Sequence, residues 1–252
     1  MLILLPPSET KRAGGTGAPV DLGGLALPRL REQRDAVLDA LVTLSADEDR
    51  AARVLKLGPR QRGEIAVNAA LRSSPTMAAI DRYTGVLYDA VDAVTLGPDA
   101  RRWLARHVLI HSAPFGPVGA LDRIPAYRLG AGTALPGVPP LRRLWAAAVT
   151  AAIADAAPSF VVDLRSEAYV ALGPVPPTIP SVYLRIVTEG PGGAVRALTH
   201  FNKHAKGALV RLLADERPRV RSIRDLCERL RAAGYRIDDD GDEWRLYDDG
   251  KQ

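Results

Sequence analysis

One cysteine, Cys227, in a chain of 252 residues leaves no partner for a disulfide, and no zinc spacing can be built around it. It sits in Ile223-Arg224-Asp225-Leu226-Cys227-Glu228-Arg229-Leu230, an amphipathic helical pattern in which a buried thiol is expected. Histidine is also sparse, with four in the chain. His107 and His111 are four apart, but Val108 to Ile110 between them reads as strand, and His200 and His204 straddle an expected strand–helix junction. No metal site is therefore expected. Walker, dinucleotide-fingerprint and nucleophile-elbow patterns are also missing, which argues against ordinary ATP-driven or nicotinamide chemistry and leaves no cofactor implied. No apolar run approaches the ~20 residues of a membrane span. The apolar start Met1-Leu2-Ile3-Leu4-Leu5 lacks a basic segment and stops at Pro6-Pro7, so it does not fit a secretory leader. A soluble, cytoplasmic protein is expected.

The composition that remains is globular, with 47% hydrophobic and 25% charged residues, enough for one substantial core. Lys and Arg number 34 against 29 Asp and Glu, a formal net charge of +5 that permits a polyanionic partner without requiring one. Only five of the basic residues are lysines (Lys11, Lys56, Lys203, Lys206 and Lys251), and two of those lie three residues apart.

Hydrophobic periodicity gives an α/β reading, a mixed sheet with surrounding helices in one domain over residues 1–252. Leu2–Leu5 reads as a buried strand, followed by a glycine-rich loop from Ser8 to Gly24. Residues 28–93 read as helical, with Ser45 and Glu48 offering a capping box, a break at Leu57-Gly58-Pro59 and helix again from Arg60 to Leu71. Pro98–Arg106, Leu141–Ala156, Asn202–Ala214 and Ser222–Ala233 read as helices. Val108–Ile110, Ile124–Leu129, Phe160–Leu164, Val182–Val187 and Ala194–Phe201 read as strands or extended chain. A terminal hairpin is expected from Gly234–Ile237 and Glu243–Tyr247 around Asp238–Asp242.

Five segments carry the residues that could do chemistry. In Thr199-His200-Phe201-Asn202-Lys203-His204-Ala205-Lys206-Gly207 a strand end is expected to pass into a helix start. Lys203 and Lys206 then share a helix face. Cations in a first turn oppose the helix dipole, whereas the turn's free amides attract phosphate or carboxylate, so two lysines there point to a bound anion. A solvated basic face is the alternative. Val162-Asp163-Leu164-Arg165-Ser166 puts an acid and a hydroxyl beyond a buried strand, where open α/β sheets gather ligands; Asp163 suits a general base, a partner for an arginine or lysine, or a turn cap. Tyr127 and Arg128 offer an aromatic ring and a phosphate-binding fork. Gly58 and Arg60 sit in a turn that resembles a helix–hairpin–helix connection, in which a glycine lets backbone amides approach a DNA phosphate, the alternative being an ordinary helix–helix turn. Tyr83 and Tyr88 suit either base stacking or core packing with satisfied hydroxyls.

Taken in order, Pro6-Pro7-Ser8-Glu9-Thr10-Lys11, Tyr83-Thr84-Gly85-Val86-Leu87-Tyr88, Phe115-Gly116, Ile124-Pro125-Ala126-Tyr127-Arg128-Leu129, Val162-Asp163-Leu164-Arg165-Ser166 and His200-Phe201-Asn202-Lys203-His204-Ala205-Lys206-Gly207 resemble the YaaA peroxide-stress protein family over nearly the whole chain. The first string departs from the commoner Ser-Pro-Ala-Lys form and keeps Ser8 and Lys11. The resemblance implies an unusual single-domain α/β fold that binds duplex or branched DNA through a positive cleft including a helix–hairpin–helix element. It also implies protection against hydrogen peroxide, associated with limiting free iron.

Two functions follow as expectations. The first is a cytoplasmic peroxide-stress protein that binds DNA, with Ser8, Arg128, Ser166, Asn202, Lys203, Lys206, Gly58 and Arg60 as anion contacts and Tyr83, Tyr88, Phe115 and Tyr127 as aromatic pocket residues. The alternative is an enzyme, glycosylase-like in one form, acting on a nucleobase, nucleotide or other anionic small molecule, with Lys11, Asp163 and Lys203 as catalytic candidates. Direct iron storage is disfavoured, because no clustered His/Cys/carboxylate set is visible.

Overall fold

The computed structural model describes residues 1–189, 195–196, 199–240 and 243–247. Strand β1 (Leu2–Leu5) is buried along its whole length, as its uninterrupted apolar run requires of a central parallel strand. The chain then builds α1 (Arg31–Leu44), α2 (Glu48–Val54), α3 (Gly63–Ala69), the short strand β2 (Met77–Ala78), α4 (Ala79–Arg82), α5 (Val86–Val91) and α6 (Pro98–His107). Strands β3 (Val108–Ser112), β4 (Gly116–Gly119) and β5 (Arg123–Ile124) follow, and α7 (Leu141–Ala156) leads into β6 (Val161–Asp163). The described chain ends with α8 (Glu167–Val170), β7 (Ser181–Glu189), β8 (Val195–Arg196), α9 (Thr199–Glu216), α10 (Ile223–Ala232), β9 (Arg236–Asp240) and β10 (Glu243–Tyr247).

The main sheet has the order β4-β3-β1-β6-β7-β10-β9, with β8 pairing β7 and β2 pairing β5 apart from it. Strands β3, β1, β6, β7 and β10 run parallel, and β4 and β9 close the two edges antiparallel. Ile3 lies between Val108 on one side and Val162 on the other. The chain leaves β1 toward β3 and leaves β6 toward β7, so the carboxyl ends of these two neighbours diverge. That divergence is the topological switch point at which α/β sheets open a crevice.

The mixed α/β class, the buried opening strand, the terminal hairpin of β9 and β10 and the buried Cys227 are as the sequence indicates. Other expectations are corrected. Residues 194–201 are not one strand: β8 covers only Val195–Arg196, and α9 already begins at Thr199. Thr199 to Asn202 serve as the opening turn of a helix whose buried face is Ala205, Lys206, Leu209, Val210 and Leu213. Lys203 therefore stands beyond the first turn, and the first-turn argument for an anion does not apply to it. Asp47, not Ser45, caps α2 by accepting from the Arg50 amide at 2.9 Å, while Ser45 Oγ donates back to Leu41 O at 2.8 Å. Of the extended run expected from Ile124 to Leu129 only Ile124 pairs as strand, at the end of β5; Pro125 lacks an amide donor, and Asn68 holds the backbone of Arg128 instead. Strand β2 falls inside the 28–93 stretch whose pattern reads as helical apart from the break at Leu57-Gly58-Pro59.

Two buried arginines pin the irregular loops that feed the switch point. Arg34 donates to Phe115 O at 2.8 Å, Ala26 O at 2.6 Å and Pro117 O at 3.1 Å. Arg82 holds Arg12 O at 2.6 Å and Ile124 O at 3.1 Å. Each supplies charge-assisted donors to several backbone carbonyls at once. Among the described residues no helix is long and apolar enough to cross a membrane.

Candidate functional site at the switch point

A cleft of about 840 Å³ opens above the carboxyl ends of β1 and β6. Its walls come from five places: the loop leaving β1 (Pro6 to Thr10), the turn into α5 (Gly85 to Tyr88), the start of α8 (Ser166 to Tyr169), Tyr183 of β7, and Asn202, Lys203 and Lys206 of α9. Two glycines shape it. Gly85 has φ +94°, a conformation that suits glycine, and its open side faces Ser8 Oγ and Thr10 Oγ1, which a Cβ would touch at 3.4 Å. Gly207 lets α9 lie on α5, since a Cβ there would stand 2.1 Å from Leu87 O.

That close helix contact delivers the lysine pair. Lys206 is buried, and its Nζ donates to Leu164 O at 2.9 Å, just past the end of β6. Burial pushes its ammonium down to about 8; Asp163 opposes the shift and Arg185 adds to it. The Tyr183 ring lies 5.8 Å from the amine, and the Tyr183 hydroxyl donates to Arg165 O at 3.0 Å. Lys203, one turn earlier on the same face, is exposed at the mouth of the cleft. The acids on the rim are already engaged: Glu9 pairs with Arg128 at 3.4 Å and Glu167 with Arg185 at 3.7 Å. Among the described residues neither cleft lysine has an ion-pair partner, so their charge faces the cleft. Asn202 adds a buried Oδ1 with no hydrogen-bond partner among the described residues. Ser166 is exposed on the opposite wall, its hydroxyl taking no part in capping α8.

Asp163 is committed elsewhere. Its carboxylate accepts Arg165 Nε at 2.9 Å, Arg165 Nη2 at 2.6 Å and the Arg165 amide at 3.0 Å. Arg165 is fully buried and also donates to Gly173 O at 2.9 Å and His111 Nδ1 at 2.8 Å. Because a guanidinium only donates, His111 Nδ1 must accept, which places the ring proton on Nε2. Burial, reinforced by the Arg165 charge, pushes this histidine well below its ordinary range, so it stays neutral. Of the readings open to Asp163, partner to an arginine is the one the geometry matches.

A second cavity of about 350 Å³ backs onto the cleft, sharing Pro7, Ser8, Glu9, Ala168 and Tyr169 with it. It holds Lys11 and Arg128. Lys11 Nζ donates to Ser8 O at 3.0 Å and Glu9 O at 3.2 Å, and stands 4.0 Å from the centre of the Tyr127 ring. Burial pushes this amine down to about 7. Lys11 and Arg128 thus belong to a neighbouring chamber, and they do not line the larger cleft. Tyr83, Phe115 and Tyr127 are core, not pocket wall: Tyr83 and Tyr127 share a hydroxyl hydrogen bond of 2.8 Å, and Phe115 packs edge-on against Tyr127 at 5.8 Å. Tyr88 does reach the cleft, its hydroxyl donating to Pro6 O at 2.7 Å.

Gly58 and Arg60 are exposed in the connector between α2 and α3, which carries a short 3-10 turn at Pro59–Gln61, and they line neither cavity. The Gly58 amide donates to Gln61 Oε1 at 3.2 Å, so the donor that a phosphate would need is occupied within the turn. Among the described residues no group of three or more His, Cys, Asp or Glu is placed to hold a metal ion. Sequence reasoning missed Tyr169, Tyr183 and Glu167 as wall residues and Asn68 as a support. Tyr183 was detectable as the lone aromatic in a parallel-strand run, but Asn68 gives no sequence signal.

Comparison with known proteins accounts for almost all of the chain. A family model described as peroxide stress protein YaaA matches residues 1–241. A UPF0246 protein of Corynebacterium efficiens is 43% identical over 242 residues, covering 94% of this chain and 95% of that one. A UPF0246 protein of Streptomyces coelicolor is 42% identical over 244 residues, covering 94% and 92%. A more distant UPF0246 protein, from Bordetella avium, is 27% identical over 233 residues, covering 87% and 88%.

Proposed function

We propose, from the premise that this chain belongs to the peroxide stress protein YaaA family, that it serves peroxide defence in the cytoplasm by binding DNA at the switch-point cleft. The observation that carries this reading is the convergence of Lys203 and Lys206, free of acidic partners among the described residues, on the carboxyl ends of β1 and β6. Backbone phosphates sit on Lys203 and Asn202, with the Ser166 and Ser8 hydroxyls on the facing wall. The cleft falls within the ~300–1,000 Å³ of ordinary ligand pockets, so it admits one nucleotide and not a whole duplex. Tyr88, Tyr169 and Tyr183 give that nucleotide aromatic surface to lie against.

The test is a fluorescence-anisotropy titration of duplex and branched DNA over a range of salt. Binding weakens with salt, and Lys203→Ala reduces the slope of log K against log salt by about one, equally for unrelated sequences. Absence of binding to both DNA forms at low salt, or an unchanged slope in the variant, overturns the proposal.

A second reading, an enzyme acting on a nucleotide or related anionic molecule in the same cleft, is favoured by one observation. Lys206 is a buried amine with one acceptor among the described residues, pushed down to about 8. Trapping its adduct with a bound carbonyl compound tests that reading.

A further inference from the structure

Resting on that reading of the cleft, we infer that Lys206 is a nucleophile toward the aldehyde of a phosphorylated sugar, the group exposed when a nucleotide loses its base. Three features of the amine point to this chemistry. It is tethered but not consumed: Leu164 O takes one N–H, and Leu164 is itself fixed by the hydrogen bond its backbone N–H donates to Leu4 O at 2.9 Å across the sheet. The acid beside it is no competitor, since the Asp163 oxygens are occupied by Arg165. The amine also lines the cleft together with Lys203, which can hold a phosphate one helical turn away, and with Asn202 Oδ1, which has no partner among the described residues and can accept from a sugar hydroxyl.

Burial supports the assignment. An amine at about 8 is neutral in about a fifth of molecules at pH 7.4, against about a thousandth for an ordinary lysine. Lys11 is the instructive contrast. It is shifted further, but its N–H groups are spent on Ser8 O and Glu9 O and it faces the Tyr127 ring, outside the cleft.

In the step itself the Nζ lone pair attacks the aldehyde carbon, a C–N bond forms, and the carbonyl π pair moves to oxygen, which takes the proton that the amine loses. The resulting carbinolamine takes up one proton from solvent on its hydroxyl, loses it as water as the nitrogen lone pair forms the C=N bond, and leaves a protonated imine. No oxidant or reductant is needed, and water is the only product released.

The experiment exposes the full-length protein to cyanoborohydride with a duplex containing an abasic site, the same duplex intact, or ribose 5-phosphate. Adducts are located by peptide mass spectrometry. The abasic duplex is expected to give a reduced secondary amine on Lys206, with none from the intact duplex. Lys206→Arg and Lys206→Met should each lower trapping by about tenfold or more. Thermal melting checks that they fold, and the exposed Lys56→Arg should trap as the unchanged chain does. An adduct on Lys206 with ribose 5-phosphate alone upholds the amine chemistry and assigns the aldehyde to a free sugar phosphate. Trapping that is absent in both aldehyde arms, or spread over surface lysines, overturns the inference. If the intact duplex still binds while trapping fails, the DNA-binding proposal survives; if the duplex fails to bind while Lys206 traps ribose 5-phosphate, only that proposal falls.

Discussion

Asp163 and Arg165 form a buried two-pronged pair, Nε to Oδ1 at 2.9 Å and Nη2 to Oδ2 at 2.6 Å, two residues apart across the exit of β6. The guanidinium then reaches Gly173 O and His111 Nδ1, so one arginine ties the floor of the cleft to the turn that follows α8 and to β3. Replacing one member of such a pair strands a desolvated charge, which costs about 3–5 kcal/mol. Asp163→Asn is therefore expected to lose that much stability in urea unfolding, whether or not any ligand is present. A loss below about 1 kcal/mol, within the range of a surface ion pair, contradicts the assignment. A peroxide-sensitive phenotype in an Asp163 variant should accordingly be interpreted as damage to the fold until its stability is known.

How far the sequence announced this site depends on which interactions built it. Leu2–Leu5 and Val161–Asp163 were legible because uninterrupted β-branched and leucine runs leave few alternatives to a buried strand. Lys203 and Lys206 were legible as a face because they are three apart. That Lys206 is buried while Lys203 stands exposed at the cleft mouth is decided by α5, through Gly207, and spacing carries no information about it. Arg128 looked like a phosphate fork, yet Glu9 holds its head and Asn68 its backbone, two partners separated from it by 119 and 60 residues. Tyr83 and Tyr127 satisfy each other's hydroxyls across 44 residues, which turns two apparent stacking platforms into core. Long-range partners of this kind are what a single sequence withholds.

Gly207→Ala tests the helix contact directly. The added Cβ would meet Leu87 O at 2.1 Å and the Ala90 Cβ at 2.8 Å, and a backbone carbonyl cannot swing away as a side-chain tip would. Overpacking of this kind costs about 1–3 kcal/mol. The shift of α9 also carries Lys203 and Lys206 away from β6, so affinity for DNA should fall along with the melting temperature. An alanine variant with unchanged melting and unchanged affinity would place the origin of the lysine geometry elsewhere.

The neutralised Lys11 amine makes stability depend on pH in a direction opposite to the usual lysine. Burial holds it at about 7 in the folded protein; the Glu64 and Glu9 charges oppose the shift, while Arg128 and Arg82 favour it. In the unfolded chain the same amine stays protonated up to about 10.4. Between these values the unfolded state binds more protons than the native one, so stability rises with pH by at most about 1.4 kcal/mol per unit for this group. Both hydrogen bonds to Ser8 O and Glu9 O survive the loss of the proton, because a neutral amine keeps two N–H donors. Lys11→Met removes the titration, and its unfolding free energy between pH 7 and 9 should climb less steeply than that of the unchanged chain. Some slope remains in the variant, since Lys206 titrates from about 8 and contributes with the same sign. The window stops at pH 9 because the buried hydroxyls of Tyr83, Tyr88 and Tyr127 are pushed well above their ordinary range and begin to favour the unfolded state near pH 10. Parallel urea series at pH 7, 8 and 9 decide the matter: equal slopes for the two proteins would mean that Lys11 keeps its charge in the folded state.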